Sequence, residues 1–398
     1  MRRHFLAVAG AVSAVVWAQV AYAEAAGRKA ALDALVRRAD AARSDGLVVW
    51  QNGKLVGEWH FGRADIPIET MSVTKSVVSL AIGRLIDQGK LPSLDAPIYQ
   101  FFPAWKQGRK QQISLRHLLN HTSGVQVDPG NAEELFGAPD AVALALAAEL
   151  DAPPGAQFQY NNKAVNLLAG IVQTVAGRPL DAFVRDELLL PLGITDWSWQ
   201  KDRAGNPYVM SGLHLRAADL AKIGQLLADD GVWQGRRLLS HAWIAESTAK
   251  PGQALARDCA LLWWLVPSQR RYVLDDAVFA SWRQEGMDEP FLTRLLPMKG
   301  RQLERTPFFA EIARLLDDPT LASWRAHTIE KNRIESKVLV GPTVGFAANG
   351  ANGQRLVVLP KERVVAARLL AVADGSDTSK LDAMPDFEDL VLAFARKN

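Results

Sequence analysis

One stretch of the chain combines a hydroxyl and an amine at a spacing that supports nucleophilic catalysis. Ser72 is followed three residues later by Lys75, and the apolar residues after Ser72 predict a helix buried on most sides that ends at Gly89. Ser72 then lies at the helix N-terminus, with Lys75 about one turn later on the same face. In apolar surroundings the charged amine is disfavoured, so Lys75 can act as a base. The pair predicts an activated serine nucleophile.

The serine-x-x-lysine spacing alone is weak evidence, because it occurs three times in the chain. The other two copies, Ser198/Lys201 and Ser247/Lys250, lie beside a polar loop and a proline. Neither copy lies on an apolar helix that would hold the two side chains in register and exclude water. The context therefore favours the pair at Ser72 alone.

Two further stretches carry groups that a hydrolase could use. Tyr160, with Asn162 two residues later, precedes an apolar helix, where the phenol could shuttle or donate a proton. A tyrosine packed on the surface and an asparagine that caps the helix is the alternative. The segment 345–354 is glycine-rich and lies between two predicted strands. It indicates either close approach of a ligand to the backbone or a bulged turn.

The elements that must position these groups predict an α+β fold. A helix over 28–42 precedes two strands, 47–50 and 54–59, which Asn52-Gly53 joins as a hairpin. The region 91–205 is mainly helical, and late strands follow at 261–266, 343–348, 355–359 and 363–371. We expect an antiparallel sheet of early and late strands, flanked by helices, with a helical region inserted between them. The sheet domain would comprise 24–90 and 206–398, and the helical domain 91–205.

Composition and the N-terminus restrict the cellular context. With 48% hydrophobic and 22% charged residues and a net charge of +3, the chain resembles ordinary globular proteins and gives no support to nucleic-acid binding. Arg2 and Arg3, an apolar run over 5–20 and the small-residue site ending at Ala23 predict a signal peptide, 1–23, and a periplasmic or secreted product. A membrane-anchoring helix is the less favoured alternative. The single cysteine, Cys259, excludes an intrachain disulfide.

Taken in order, the three stretches resemble the serine β-lactamase and penicillin-binding family, in its class C-like and esterase branch. The resemblance extends over nearly the whole mature chain and includes further segments at 94–98, 113–124, 191–194, 212–213, 218–221 and 263–264. It implies Ser72 as nucleophile, Lys75 as its base partner, Tyr160 as a general acid/base and Asn162 as an amide that positions the substrate.

The resemblance also implies a role for the glycine-rich segment. Asn349, Gly350 and Ala351 would form the far wall of the cleft, and the N–H groups of Ser72 and Ala351 would form the oxyanion hole. In the β-lactamases of this family a cation, commonly lysine, begins this motif, but the matching residue here is Ala348. The loss of this cation disfavours penicillins and D-alanyl peptides. The glycine-rich segment instead resembles that of the esterases and amide hydrolases of the family, including those similar to 6-aminohexanoate-dimer hydrolase.

Two other functions are alternatives to a serine hydrolase that acts on an ester or amide. A β-lactamase or D-alanyl-D-alanine carboxypeptidase would need another cation, and a non-catalytic protein that binds a cell-wall ligand would have no need of Ser72, Lys75 and Tyr160 together. We expect no cofactor and no metal, since His117 and His121 lack the acidic neighbour of a zinc-protease motif. The expected partner is a small ester, amide or peptide-like substrate, with no stable membrane anchor after signal cleavage; the sequence leaves the oligomeric state open.

The segment 267–337 is unusual for the family, which has much less chain at this point. It is rich in Arg, Asp and Glu and contains short helical patterns. It could form a lid or wall over the cleft, or it could be a peripheral decoration. These two roles are alternatives at the level of the sequence.

Overall fold

The computed structural model describes residues 26–127, 131–248, 254–256, 258–325, 335–373, 376–378 and 381–396. The predicted signal peptide, 1–23, lies outside these residues. The described chain divides into two compact units, one formed by the segments up to Val266 and from Val344 onward, the other by Pro267–Thr343.

The first unit contains the main sheet and the helices around it. Its helices are α1 (26–41), α2 (Val73–Asp87), α3 (Leu115–Leu119), α4 (Asn131–Gly137), α5 (Ala141–Ala147), α6 (Asn162–Ala176), α7 (Leu180–Val184), α8 (Ala217–Ala228), α9 (His241–Thr248) and α14 (Phe387–Ala395). Its strands are β1 (Gly46–Gln51), β2 (Lys54–Trp59), β3 (Ile68–Glu69), β4 (Ser198–Trp199), β5 (Leu213–Leu215), β6 (Val232–Trp233), β7 (Arg236–Arg237), β8 (Cys259–Ala260), β9 (Trp263–Pro267), β12 (Thr343–Asn349), β13 (Arg355–Leu359) and β14 (Val364–Leu369).

The main sheet joins early and late strands, as predicted. Its order is β2-β1-β14-β13-β12-β9-β8, and β1 pairs antiparallel with both β2 and β14. The β1–β2 hairpin turns at Asn52 and Gly53, whose φ angles of 52° and 73° are those of the left-handed turn that Asn-Gly favours. The α+β fold class is confirmed.

Helix α2 lies in the largest core of the first unit. Twelve of its residues are buried, and Gly89, just beyond its end, has a φ of 68°, which suits a glycine stop. The same core contains Val48 from the sheet, Leu118 from the region 91–205 and Phe346 from β12. The helical region and the sheet therefore hold α2 from several sides, and its N-terminus has a fixed position.

The second unit has a core of its own. A two-stranded ribbon, β10 (Arg270–Val273) with β11 (Lys337–Val340), accompanies α10 (Asp276–Gln284), α11 (Glu289–Leu295), α12 (Arg305–Leu315) and α13 (Asp318–Arg325). Its buried centre includes Phe279, Trp282, Phe308 and Trp324. The charge-rich insertion is thus a folded unit in its own right, and its role as a lid or a decoration stays a prediction.

The structure differs from the sequence-based expectation in a few elements. The strand expected from 261 begins at Trp263, because Leu261 and Leu262 have φ angles of 45° and 72°, outside the range of a strand. Helices α4, α9, α10 and α11 were not predicted. They are short and carry polar residues, so their periodicity is weak.

The described residues contain no single helix long and apolar enough to cross a membrane. Two helical segments, Asn162–Ala176 and Leu180–Leu189, are long and apolar enough to cross a membrane only when they are taken as a pair, and this pair is bent. Many of its apolar side chains belong to the core of the first unit.

Candidate active site

Ser72 lies at the entry of α2, as predicted. It is the N-cap residue, but its side chain makes no capping hydrogen bond. The residue before it, Met71, has a φ of 50°, an uncommon conformation for a side chain without a local hydrogen-bonding group. The hydroxyl of Ser72 is therefore not used by the helix terminus, and an unusual backbone turn presents it.

Lys75 contacts the Ser72 hydroxyl directly. Its Nζ lies 2.9 Å from Ser72 Oγ and donates to the carbonyl of Met210 at 2.6 Å. Lys75 is only 2% exposed, and this burial holds the pKa of its amine well below the usual value of 10.5. A neutral amine has two N–H groups and one lone pair. With one N–H on Met210, the lone pair can face Ser72 and accept its proton.

Tyr160 joins the same cluster. The Nζ of Lys75 lies 5.0 Å from the centroid of the Tyr160 ring. Burial raises the pKa of the Tyr160 phenol to about 12, although the nearby hydroxyl of Ser72 opposes this shift. At neutral pH the phenol therefore keeps its proton, and it can donate a hydrogen bond or transfer a proton to a more basic group.

Two rings enclose Tyr160, and neither of them was predicted to be a site residue. The His121 ring lies 4.4 Å from it, and the Trp264 ring is stacked at 6.4 Å, both measured between centroids. Burial lowers the pKa of His121 to about 3, so this imidazole is neutral and accepts from the Asn161 N–H at Nδ1. Trp263 is buried in the core, whereas Trp264 is only partly buried and lies beside Tyr160.

The loop–helix junction after Tyr160 is fixed by Asn161, not Asn162. Asn161 accepts from the backbone N–H of Ala164 and thereby caps α6, and its Nδ2 donates to the carbonyl of Val125 at 2.6 Å. Asn162 is the first helical residue. Its side chain is consequently not needed as the cap, and it can take part in binding.

The glycine-rich segment lies against the backbone that precedes Ser72. A Cβ atom on Gly350 would lie 2.6 Å from the carbonyl oxygen of Thr70 and 3.0 Å from the Cβ of Met71. Only glycine allows this approach, because a real Cβ would have to displace a backbone oxygen. The structure therefore brings the third predicted stretch beside the first.

Several polar groups of the predicted site have no partner. Among the residues that the structure describes, the backbone N–H groups of Ser72 and Ala351 donate no hydrogen bond, as the proposed oxyanion hole requires. Within the same residues, Asn162 Oδ1 and Asn349 Oδ1 are buried and unpaired. Buried polar atoms usually have partners, so these groups are suited to a bound substrate.

The other candidates lie elsewhere. Lys201 of the second serine-x-x-lysine copy pairs with Asp181, and Lys250 of the third lies outside the described residues. His117 accepts from the N–H of Ser114 at the start of α3, a structural role. In the described part of the chain one group, Glu58, His60 and Asp65, has ligand atoms close enough for a metal, all within 4.8 Å of one another. It includes none of the residues around Ser72.

Comparison with known proteins shows the family of the chain. The family model named Beta-lactamase matches residues 32–384, most of the chain. The chain belongs to the β-lactamase family. The predicted resemblance is thereby confirmed at the level of the family, and the neighbours include both esterases and penicillin-binding proteins of this family.

Two curated relatives and one solved structure illustrate the range. The chain is 30% identical to esterase EstB of Burkholderia gladioli over 168 residues, 37% of this chain and 42% of that protein. It is 28% identical to PbpX, a candidate penicillin-binding protein of Bacillus subtilis (strain 168), over 184 residues, 43% of this chain and 45% of that protein. The matches thus span less than half the length of these relatives. A candidate 6-aminohexanoate-dimer hydrolase from Bacillus anthracis shares the fold, with a TM-score of 0.57, 18% identity and coverage of 85% of this chain and 76% of that one.

Proposed function

We propose that this member of the β-lactamase family is a serine hydrolase that cleaves a small ester or amide through an acyl-enzyme. The observation that carries the proposal is the buried Lys75, whose Nζ lies 2.9 Å from Ser72 Oγ and whose pKa is lowered by burial. A neutral amine at this distance is a base for the hydroxyl, which is a weak nucleophile without one. The similarity to esterase EstB supports the same reaction class.

The acylation step follows from the positions of the three side chains. The lone pair of Lys75 takes the hydroxyl proton of Ser72, and the Oγ atom attacks the substrate carbonyl. The carbonyl oxygen gains negative charge, which the N–H groups of Ser72 and Ala351 would stabilise, each by about 3 kcal/mol. The proton then passes from Lys75 through the phenol of Tyr160 to the leaving group, whose bond to the carbonyl carbon breaks.

Deacylation uses the same groups in reverse order. Water gives a proton to Lys75 through Tyr160 and attacks the ester carbonyl of the acyl-enzyme. The bond to Ser72 Oγ breaks, Oγ recovers the proton and the acid product leaves. Because the pKa of Tyr160 is about 12, its phenol carries a proton before each transfer and returns to that state afterwards.

The substrate is expected to be uncharged at the position that penicillins occupy with a carboxylate. Ala348, which aligns with the cation of the third motif, is a fully buried apolar residue on β12. The guanidinium of Arg355 is nearby in sequence, but its Nη1 donates to the carbonyls of Gly350 and Gln354. A cation available to a carboxylate is therefore not provided by these residues.

A panel of substrates tests the proposed function. Purified protein is assayed with aryl esters of several acyl lengths, linear and cyclic amides and a chromogenic cephalosporin. We expect turnover of esters or amides that exceeds turnover of the cephalosporin. The similarity to PbpX makes a penicillin-binding activity the second candidate. Covalent labelling by a fluorescent penicillin, together with cephalosporin turnover above that of every ester and amide, would replace the first proposal by the second.

We further propose that the chain is exported, on the basis of the predicted signal peptide at 1–23. The positive residues, the apolar run and the small residues up to Ala23 support this localisation. The measurement is the N-terminal sequence of the protein recovered from a periplasmic fraction. Export predicts a mature chain that begins after Ala23, whereas a cytoplasmic protein with an intact N-terminus contradicts it.

A further inference from the structure

The backbone segment 209–213 belongs to none of the three motifs, yet it supplies the second partner of Lys75. The carbonyl of Met210 accepts from Lys75 Nζ at 2.6 Å, and both Val209 and Met210 are buried. The direction of this carbonyl decides where the amine points its N–H, and hence where it points its lone pair. The groups that hold the segment 209–213 in place therefore also determine the direction of the Lys75 lone pair.

One end of the segment is held from the side of Ser72. The N–H of Gly212 donates to the Glu69 carboxylate at 3.0 Å, and the carbonyl of Leu213 accepts from Thr70 Oγ1 at 2.8 Å. Glu69, the acceptor, lies at the end of β3, and Thr70, the donor, lies in the turn that leads to Ser72. These bonds fix the segment beyond Met210 but not before it.

The other end is held by two side chains, Asn166 on α6 and Trp199 on β4, whose Nε1 donates to the carbonyl of Tyr208 at 2.8 Å. The Oδ1 of Asn166 accepts from the N–H of Val209 at 2.8 Å, and its Nδ2 donates to the carbonyl of Asn162, also at 2.8 Å. Asn166 is 1% exposed. The two bonds fix the orientation of the amide, because the reversed orientation would set donor against donor and acceptor against acceptor. Asn166 thus joins the start of α6 to the residue that precedes Met210.

We propose that Asn166 is a positioning residue, which holds the Met210 carbonyl against Lys75 and keeps the amine aimed at Ser72. The proposal rests on the proposed function. Asn166 touches neither of the reacting atoms and acts through the backbone of Val209 and Met210. The amide is chemically specific in this place: leucine has a similar volume but neither polar atom, and aspartate keeps the acceptor but loses the donor.

The two substitutions change the base in opposite directions. In Asn166→Leu the Val209 N–H loses its acceptor and the Met210 carbonyl is held less firmly. The carbonyl then stabilises the ammonium form of Lys75 less, and the pKa of the amine falls further. Asn166→Asp adds a carboxylate beside the segment, which favours the ammonium form and raises that pKa. The other titratable groups facing Lys75 are His121 and Tyr160, with Cys259 beside Tyr160, and none of these is altered.

The test compares Asn166→Leu and Asn166→Asp with the wild-type protein and with Asn206→Leu. Asn206 makes the matched control, because its Nδ2 bonds only to the carboxylates of Asp140 and Asp202. We measure kcat and KM for an aryl ester against pH, the Tm, and the titration of Lys75 by NMR with isotope-labelled lysine. The resonance of Lys75 is assigned from its loss in Lys75→Met.

We expect Asn166→Leu to lower kcat by about ten- to a hundredfold with little change in KM, as misplacement of a catalytic group does. The Lys75 titration should move to lower pH in Asn166→Leu and to higher pH in Asn166→Asp, and it should stay unchanged in Asn206→Leu. If both Asn166 variants lose only Tm and keep the wild-type kcat and Lys75 titration, Asn166 is merely structural and the proposal is overturned.

The role of Asn166 can be decided even if one variant does not fold or the wild-type protein is inactive. If Asn166→Leu does not fold, Asn166→Asp carries the test, since it keeps the acceptor for the Val209 N–H. If the wild-type protein shows neither turnover nor an adduct on Ser72, the proposed function fails. The NMR titration of Lys75 still decides whether Asn166 controls the amine, because it requires no reaction.

Discussion

Ser72→Ala is expected to lower kcat/KM for every substrate of the wild-type enzyme by about 10⁴-fold or more, because it removes the hydroxyl on which the acyl-enzyme forms. The change removes one oxygen atom from the entry of α2. Since the Ser72 side chain makes no capping hydrogen bond, the helix loses nothing at its N-terminus and the Tm should change little. The measurement is ester turnover with a parallel thermal scan.

Ser198→Ala provides the matched control for this prediction. Ser198 has a lysine at the same spacing, but it is exposed on β4, and its Lys201 pairs with Asp181. This variant should keep wild-type turnover. Equal turnover by Ser72→Ala and Ser198→Ala would show that neither serine is the nucleophile and would remove the proposed mechanism.

Lys75→Met is expected to reduce kcat by about 10²- to 10⁴-fold, the usual contribution of a general base to proton transfer. Methionine fills a similar volume but has no lone pair that can take the proton of Ser72. In the wild-type enzyme, kcat/KM should fall as the pH drops through the lowered pKa of Lys75, because the ammonium form cannot act as a base. The residual activity of Lys75→Met should not show this fall of kcat/KM at low pH. The exposed Lys54 gives the control, Lys54→Met, with unchanged rate and pH profile.

The same substitution should leave the protein as stable as the wild type or more stable. Because the pKa of Lys75 is lower in the folded than in the unfolded state, the unfolded chain binds more protons, and wild-type stability rises with pH. Lys75→Met removes this dependence. Its Tm advantage should be largest at low pH and shrink as the pH approaches 10.5, the usual value for lysine. A variant that is inactive and strongly destabilised at low pH would contradict the view that Lys75 is buried in neutral form.

Periodicity and turn chemistry were sufficient to predict the main elements of the fold. The hairpin at Asn52-Gly53, the buried helix after Ser72 and the late strands all follow from local patterns that the structure retains. The start of β9 could not be predicted, because Leu261 and Leu262 look like strand residues but adopt positive φ. Their conformation depends on contacts distant in sequence, such as the bond from Ser76 Oγ to the carbonyl of Leu262.

The reactive side chains of the candidate site were easier to predict than the groups that hold them in position. Ser72 and Lys75 share a helix, so their spacing indicates their contact. The partner of Lys75 at Met210 is a backbone carbonyl 135 positions away, which no residue type reveals. Asn166 lies inside an apolar helix pattern, where a buried asparagine was the one available signal. The place of Trp264 beside Tyr160 could not be predicted, because adjacent tryptophans in a predicted strand give no indication that one of them faces a tyrosine.

The most direct test of the central claim is the mass of the intact protein after reaction with a fluorophosphonate, followed by peptide mapping. The reagent forms a P–O bond to an activated serine and releases fluoride. We expect a single adduct per chain, located on Ser72, absent from Ser72→Ala and formed far more slowly by Lys75→Met. An adduct on another residue, or ester turnover that persists without any adduct on Ser72, would contradict this expectation.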